Sequence, residues 1–261
     1  MEIGLYLGLG AFAGILAGLF GVGGGLIIVP ALVFGFTKQG FSVDVLTHMA
    51  VGTSLATIIF TSLSSVRTHH SKQAVQWNIV WPMSIGIVLG AFLGGHTAAL
   101  ISGPLLQTII GCFALLVALQ MGLGLKPKAA RNVPGHTGLA AAGGVVGWAS
   151  AIFGIGGGSL TVPFLSWCNV KMQQAVGTSS ACGLPIALAG AASYMVAGWS
   201  HDSLPDWSVG FVYIPALLGI ILTSVIFARL GARLAHRLPP EKLKKLFALL
   251  LLVVGLQFIL K

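Results

Sequence analysis

Apolar residues run along this chain in long blocks, at about 3–36, 45–66, 76–100, 104–125, 136–168, 174–198, 207–230 and 243–260. Blocks of this length predict bilayer-crossing helices, since a span needs about 20 apolar residues. The ten-residue alternation of a membrane barrel is missing from them. Two blocks, 3–36 and 136–168, are too long for one crossing. As one helix the first would run to about 51 Å, against a hydrocarbon core of about 30 Å. Each contains a triple glycine, Gly23–Gly25 and Gly156–Gly158. The glycines predict a break in each block, with short helices following at about 26–36 and 159–168. A broken helix exposes backbone groups that hydrocarbon cannot satisfy, so each break must face protein or a polar cavity.

The blocks repeat. Phe20 to Pro30 matches Phe153 to Pro163, and Ala50-Val51-Gly52-Thr53-Ser54 matches Ala175-Val176-Gly177-Thr178-Ser179. Pro82 and Gly86 match Pro215 and Gly219, and Phe113 to Leu116 matches Phe247 to Leu250. Four matches in the same order indicate an internal duplication. They divide the chain into a first transmembrane repeat, 1–125, a cytoplasmic linker, 126–135, and a second repeat, 136–261.

Composition agrees with a membrane setting. Of 261 residues, 56% are hydrophobic and 7% charged, with mean hydropathy +0.97. A soluble domain carries roughly 25% charged residues. The net charge of +9 resides in the connections, with no basic groove and interleaved aromatics to suggest nucleic acid. Charge also orients the spans. If each broken block enters and returns to the same face, 12 of the 14 Lys and Arg fall on one face. Only Lys38 and Lys261 fall on the other. If each broken block crosses once, basic loops land on both faces, against the positive-inside rule. The first arrangement leaves three net crossings per half, so the second half is inverted. The expected fold is therefore an all-α polytopic integral membrane protein of two inverted repeats. Each repeat is a glycine-broken helix hairpin followed by three transmembrane helices. Inverted repeats with paired helix breaks are a transporter architecture, with binding near the midplane.

The candidate site follows from the breaks. The first amides of a helix lack intrahelical acceptors and carry the positive end of its dipole. Gly23, Gly24 and Gly25, with Gly156, Gly157 and Gly158, would let an anion approach those amides. Thr53 and Ser54, with Thr178 and Ser179, supply hydroxyls that either donate to an oxyanion or bond back along their own helix. Ser159 and Thr161 are weaker candidates, without counterparts in the first copy. Pro30 and Pro163 are expected to shape the short helices as hinges. No Asp, Glu, Lys or Arg lies deep in a span, which argues against a cation site. The same lack, with no nucleophile–base pair in a span, argues against an intramembrane enzyme. No metal site or cofactor is expected.

Other residues have ordinary expectations. Gly86, Gly90 and Gly94 suit close helix packing. Trp77, Trp81, Trp199 and Trp207 flank block ends as an aromatic belt would. His48 and His96 are interfacial or packed, and Cys112, Cys168 and Cys182 are buried small hydrophobes.

Gly-hydrophobic-Gly-Gly-Gly followed by Val-Pro in each half, with Val-Gly-Thr-Ser about twenty residues later, resembles the sulfite exporter TauE/SafE family. It is also called the 4-toluene sulfonate uptake permease superfamily. The resemblance covers about residues 5 to 258. It implies transport of a small sulfur-containing anion, such as sulfite, sulfoacetate or another organosulfonate, across a bacterial inner membrane. Onto this sequence it carries Gly23, Gly24, Gly25, Pro30, Thr53 and Ser54, then Gly156, Gly157, Gly158, Pro163, Thr178 and Ser179. The expected activity is export by alternating access at a midplane site. The alternative is an uptake carrier or a channel for another small anion. The expected partners are the anion and the bilayer, with protons a candidate coupling ion. Substrate, direction and oligomeric state stay open.

Overall fold

The computed structural model describes residues 2–20, 25–123, 132–235 and 240–260. It contains ten helices among these residues: α1 Glu2–Phe20, α2 Gly25–Lys38, α3 Val43–Ser71, α4 Trp77–Ala99, α5 Gly103–Gly122, α6 His136–Phe153, α7 Gly158–Trp167, α8 Met172–Ala197, α9 Ile214–Ala235 and α10 Pro240–Ile259. Four of them, α3, α4, α5 and α8, are long and apolar enough to cross a membrane, and shorter apolar stretches lie in α1, α2, α9 and α10. The second over-long block is split as expected. There Phe153 ends α6 and Gly154 adopts φ +66°, a left-handed cap that a side chain would strain. The chain then restarts as α7 at Gly158. In the first, α1 is described to Phe20 and α2 from Gly25, and the expected break at Gly23 and Gly24 lies outside the described residues.

One block departs from expectation. Residues 207–213 are not the start of a helix. They form a two-stranded hairpin, β1 Ser208–Val209 paired with β2 Val212–Tyr213. Trp207 and Gly210 both take positive φ, which a helix cannot accommodate, and Val209, Phe211, Val212 and Tyr213 are β-branched or aromatic residues that suit a strand pair. Helix α9 begins only at Ile214, with Pro215 at its second position, where the missing N–H costs little. The hairpin is anchored by an aromatic cluster in which Tyr213 meets Tyr6, Phe36 and Phe41 edge-on.

The halves interlock around one core. Helix α4 packs along α6 of the other half, α9 along α1, and α5 along α10. Exchanging the halves carries the first pairing onto the second. Gly86 sits against Ala140, Gly90 against Gly144 and Gly94 against Trp148, so α4 and α6 run parallel at backbone contact. Gly219 faces Tyr6, and Gly10 and Gly14 face Ile220 and Ser224, so α1 and α9 are parallel too. The central pair, α3 and α8, behaves differently. Leu55 meets Gly190, Ser62 meets Gly183, and Ser65 bonds Ser180, so these helices are antiparallel.

Candidate functional site

Two hydroxyl-bearing stripes face each other across the central pair. On α3 they are Ile58, Thr61, Ser62 and Ser65, and on α8 Val176, Ser179, Ser180 and Gly183. Each set follows the i, i+3, i+4, i+7 spacing that places residues on one helix face. Gly156, Gly157 and Gly158 close the end, and Val162 of α7 completes the wall. Together they enclose a cavity of about 60 Å³, room for a few waters or one compact oxyanion.

The polar groups around this cavity are unevenly satisfied. Ser65 Oγ donates to Ser180 Oγ at 3.2 Å, and Ser180 Oγ donates to the Val176 carbonyl at 3.0 Å. Thr61 Oγ1 donates back to the Ile58 carbonyl at 3.2 Å. Ser179 is only 1% exposed, yet its Oγ has no hydrogen-bond partner. Thr161, fully buried, is also unpartnered, and its Oγ1 would lie 3.3 Å from a Cβ placed on Gly157. Unsatisfied buried hydroxyls are costly and uncommon. Those beside the start of α7 supply donors where that helix start already carries positive potential. The cavity lining holds no charged side chain.

Glycine at 157 is a spatial requirement. A Cβ there would stand 2.8 Å from the Ser179 carbonyl oxygen and 3.3 Å from the Gly183 nitrogen. Gly25, at the start of α2, meets the other break, where its Cβ would fall 2.6 Å from the Gly154 oxygen. The structure thus brings Gly25, Ser54 and the second break together, with Ser54 Oγ donating to the Gly154 carbonyl at 2.9 Å. Pro30 and Pro163 each take the sixth place of their helix. Having no N–H, they leave the Leu26 and Ser159 carbonyls without an intrahelical partner.

Thr53 and Thr178 stand elsewhere. Neither lines the cavity. Thr53 Oγ1 accepts the Tyr213 backbone N–H at 3.0 Å, and Thr178 Oγ1 accepts that of Gln76 at 3.0 Å. The residues not foreseen are Thr61, Ser62, Ser65 and Ser180. Their signal was present in the stripe spacing, which the apolar background obscures. Of the two histidines singled out, His48 is buried and His96 is exposed near the end of α4. His48 places Nδ1 at 3.1 Å from the Asp44 carbonyl and Nε2 at 3.0 Å from those of Ala98 and Ile101. His96 Nδ1 lies 2.9 Å from Ser193 Oγ, which donates to the Phe92 carbonyl. Cys168 and Cys182 are buried, but Cys112 is exposed, contrary to expectation, because its face of α5 points outward.

The chain matches the family described as Sulfite exporter TauE/SafE over residues 6–258. A protein of Haemophilus influenzae, described as a probable membrane transporter protein, is 39% identical over 259 residues, spanning 98% of each chain. Proteins under the same description from Methanocaldococcus jannaschii and Bacillus subtilis are 27% and 28% identical. They cover 96% of this chain, and 93% and 95% of their own. No solved structure gives a significant match.

Proposed function

The chain belongs to the sulfite exporter TauE/SafE family, and on that premise we propose that it is a permease exporting a small sulfur-containing anion by alternating access. It is a multi-pass membrane protein, and we place it in a bacterial inner membrane. The observation that carries the reading is the buried, unpartnered hydroxyl of Ser179, a residue in the wall of an uncharged cavity at the start of α7. A neutral site of hydroxyls and helix-start amides suits a compact oxyanion, which is stabilised by donors and needs no fixed counter-charge. The site consists of Gly156, Gly157, Gly158 and Ser179, joined by Ser62, Ser65 and Ser180. Gly25 joins it from the start of α2, against the second break, and Pro30 and Pro163 act as hinges. An anion leaving a cell with a negative interior runs downhill, which favours export without obligatory coupling. The site holds no nucleophile–base pair that an enzyme would need.

The inverted-repeat topology, with repeats 1–125 and 136–261 about the linker 126–135, is part of this proposal. The antiparallel run of α3 and α8 supports it. If each broken block crossed once, four crossings would separate the start of α3 from that of α8, and the two would be parallel. If each block returns to its own face, three intervene and they are antiparallel.

The test is flux of labelled sulfite, sulfate, thiosulfate and sulfoacetate into proteoliposomes, with and without a pH gradient. Saturable movement of one sulfur anion over sulfate is the expected result, and its response to the gradient reports proton coupling. No movement of any of them by folded protein would overturn the reading.

A further inference from the structure

The Gly-Thr pair within each Val-Gly-Thr-Ser motif holds a segment of the other half, and does so twice in the same way. Beside Gly52, a Cβ would stand 2.6 Å from the Phe211 carbonyl oxygen, while Thr53 accepts the Tyr213 N–H. Beside Gly177, a Cβ would stand 2.5 Å from the Ala74 carbonyl oxygen, while Thr178 accepts the Gln76 N–H. In both, the glycine receives the carbonyl of one residue and the threonine the amide two residues on. The captured segments are the α8–α9 connection and the α3–α4 connection. A further bond, Gln76 Nε2 to Gln174 Oε1 at 2.9 Å, reinforces the second.

Their placement is as informative as their chemistry. Because α3 and α8 run antiparallel with Ser62 level with Gly183, Thr178 sits level with position 67 of α3. From 53 to 67 is 14 residues, or about 21 Å of helix. The two sockets therefore lie toward opposite ends of the central pair. The cavity, at positions 58–65 of α3, lies between them. Both threonines are fully buried, so each hydroxyl oxygen is committed to its captured amide. The half-buried Ala74–Gln76 segment is held modestly, by bonds that water can replace when it lifts. The buried Phe211–Tyr213 segment is held more firmly, with Phe211 N–H donating to the Tyr194 carbonyl at 3.2 Å and Tyr213 in its aromatic cluster.

We propose that the two Gly-Thr sockets are the latches of the transport cycle, one toward each face, released one at a time. Lifting Ala74–Gln76 from Gly177–Thr178 opens the cavity toward the α3–α4 face. Lifting Phe211–Tyr213 from Gly52–Thr53 opens it toward the α8–α9 face. The inference rests on the reading of the cavity as the transport site. It makes Thr53 and Thr178 positioning residues.

The test uses side-specific labelling, which needs no substrate. In a chain with Cys112, Cys168 and Cys182 replaced by alanine, a reporter is introduced as Ser62→Cys. A membrane-impermeant maleimide is then applied from either side of oriented vesicles. Thr178→Val is expected to raise the labelling rate from the α3–α4 face by about two- to tenfold, the range set by one hydrogen bond. Thr53→Val is expected to do so from the α8–α9 face. Thr178→Ser and Thr53→Ser, which keep the accepting oxygen, should label like the parent. Valine variants that open the same face, or leave both rates unchanged, overturn the latch. If valine prevents folding, a second variant decides. Gln76→Cys with Gln174→Cys, bridged by a short reducible bis-thiosulfonate, should block labelling from the α3–α4 face until reduced. Undiminished labelling with the bridge in place overturns the proposal. Labelling that follows the latches in a protein that moves no sulfur anion would overturn the substrate reading alone.

Discussion

Around the second glycine break, α3 and α8 present Thr61, Ser62, Ser65, Ser179 and Ser180. The positions that correspond under exchange of the halves are Ile186, Ala187, Gly190, Ser54 and Leu55. Only the Ser54–Ser179 pair stays polar. Ile186, Ala187 and Leu55 are fully buried, and Leu55 fills the space beside Gly190. Even the shared serine differs in state, since Ser54 is bonded to the Gly154 carbonyl while Ser179 is unpartnered. On the proposed reading, the repeated motifs build the frame, and the residues that differ between the halves build the site. Motif residues common to both halves hold helices and connections together. The hydroxyls that line the cavity are mostly those found in one half alone.

The most severe way to probe that difference is to fill the second break. Gly157→Val should reduce flux by about 100-fold or more, because its side chain must displace the Ser179 and Gly183 backbone. Gly156→Ala is the matched control. Its Cβ meets only Ile58 Cγ2 at 3.5 Å, an ordinary contact, so proteoliposome flux should fall far less. Equal losses in the two variants would show that glycine acts there through flexibility and not through space.

Next in size is the contrast between the two motif serines. Ser54→Ala strands the buried Gly154 carbonyl and should cost about 1–3 kcal/mol of stability, read as a lower unfolding temperature in detergent. Ser179→Ala removes a hydroxyl with no partner and should leave that temperature unchanged or raised. Its effect should instead appear as a KM raised by about tenfold, the value of one hydrogen bond to an anion. A thermal cost at Ser179 without a change in KM would reverse the assignment of the two roles.

The smallest effects concern the stripe on α3 and its counterpart. Ser62→Ala should raise KM a few-fold, and Ala187→Ser, at the corresponding buried position, should leave KM unchanged. Titrating sulfite flux for the pair checks both. A KM shift at Ala187→Ser equal to that at Ser62→Ala would mean that the two breaks share the site.

Much of this frame is legible in the chain. Block length and the triple glycines specify where α6 ends and α7 begins, because hydrocarbon leaves the backbone few alternatives. The Gly86-Gly90-Gly94 spacing specifies a tight helix contact, since small residues at that interval let backbones meet. The hairpin at 208–213 escapes notice because Val, Phe and Tyr are as apolar as a span, and hydropathy does not distinguish strand from helix. Thr53 and Thr178 show a different limit. A hydroxyl at membrane depth can serve a ligand, its own helix or another segment's amide, and only the fold shows which. Thr61, Ser62 and Ser65 carry the right spacing, but a stripe gains meaning only once Ser179 and Ser180 are seen across from it.

The decisive measurement sets two double variants side by side in the proteoliposome flux assay, with the anion that the parent protein moves, each paired with its unfolding temperature. Ser62→Ala with Ser179→Ala is expected to raise KM well above the single variants while the fold is kept. Ser54→Ala with Ala187→Ser is expected to lower the unfolding temperature and leave KM alone. A KM raised only in the second pair, with the first behaving as wild type, would place the site at the other break and contradict the division between frame and site.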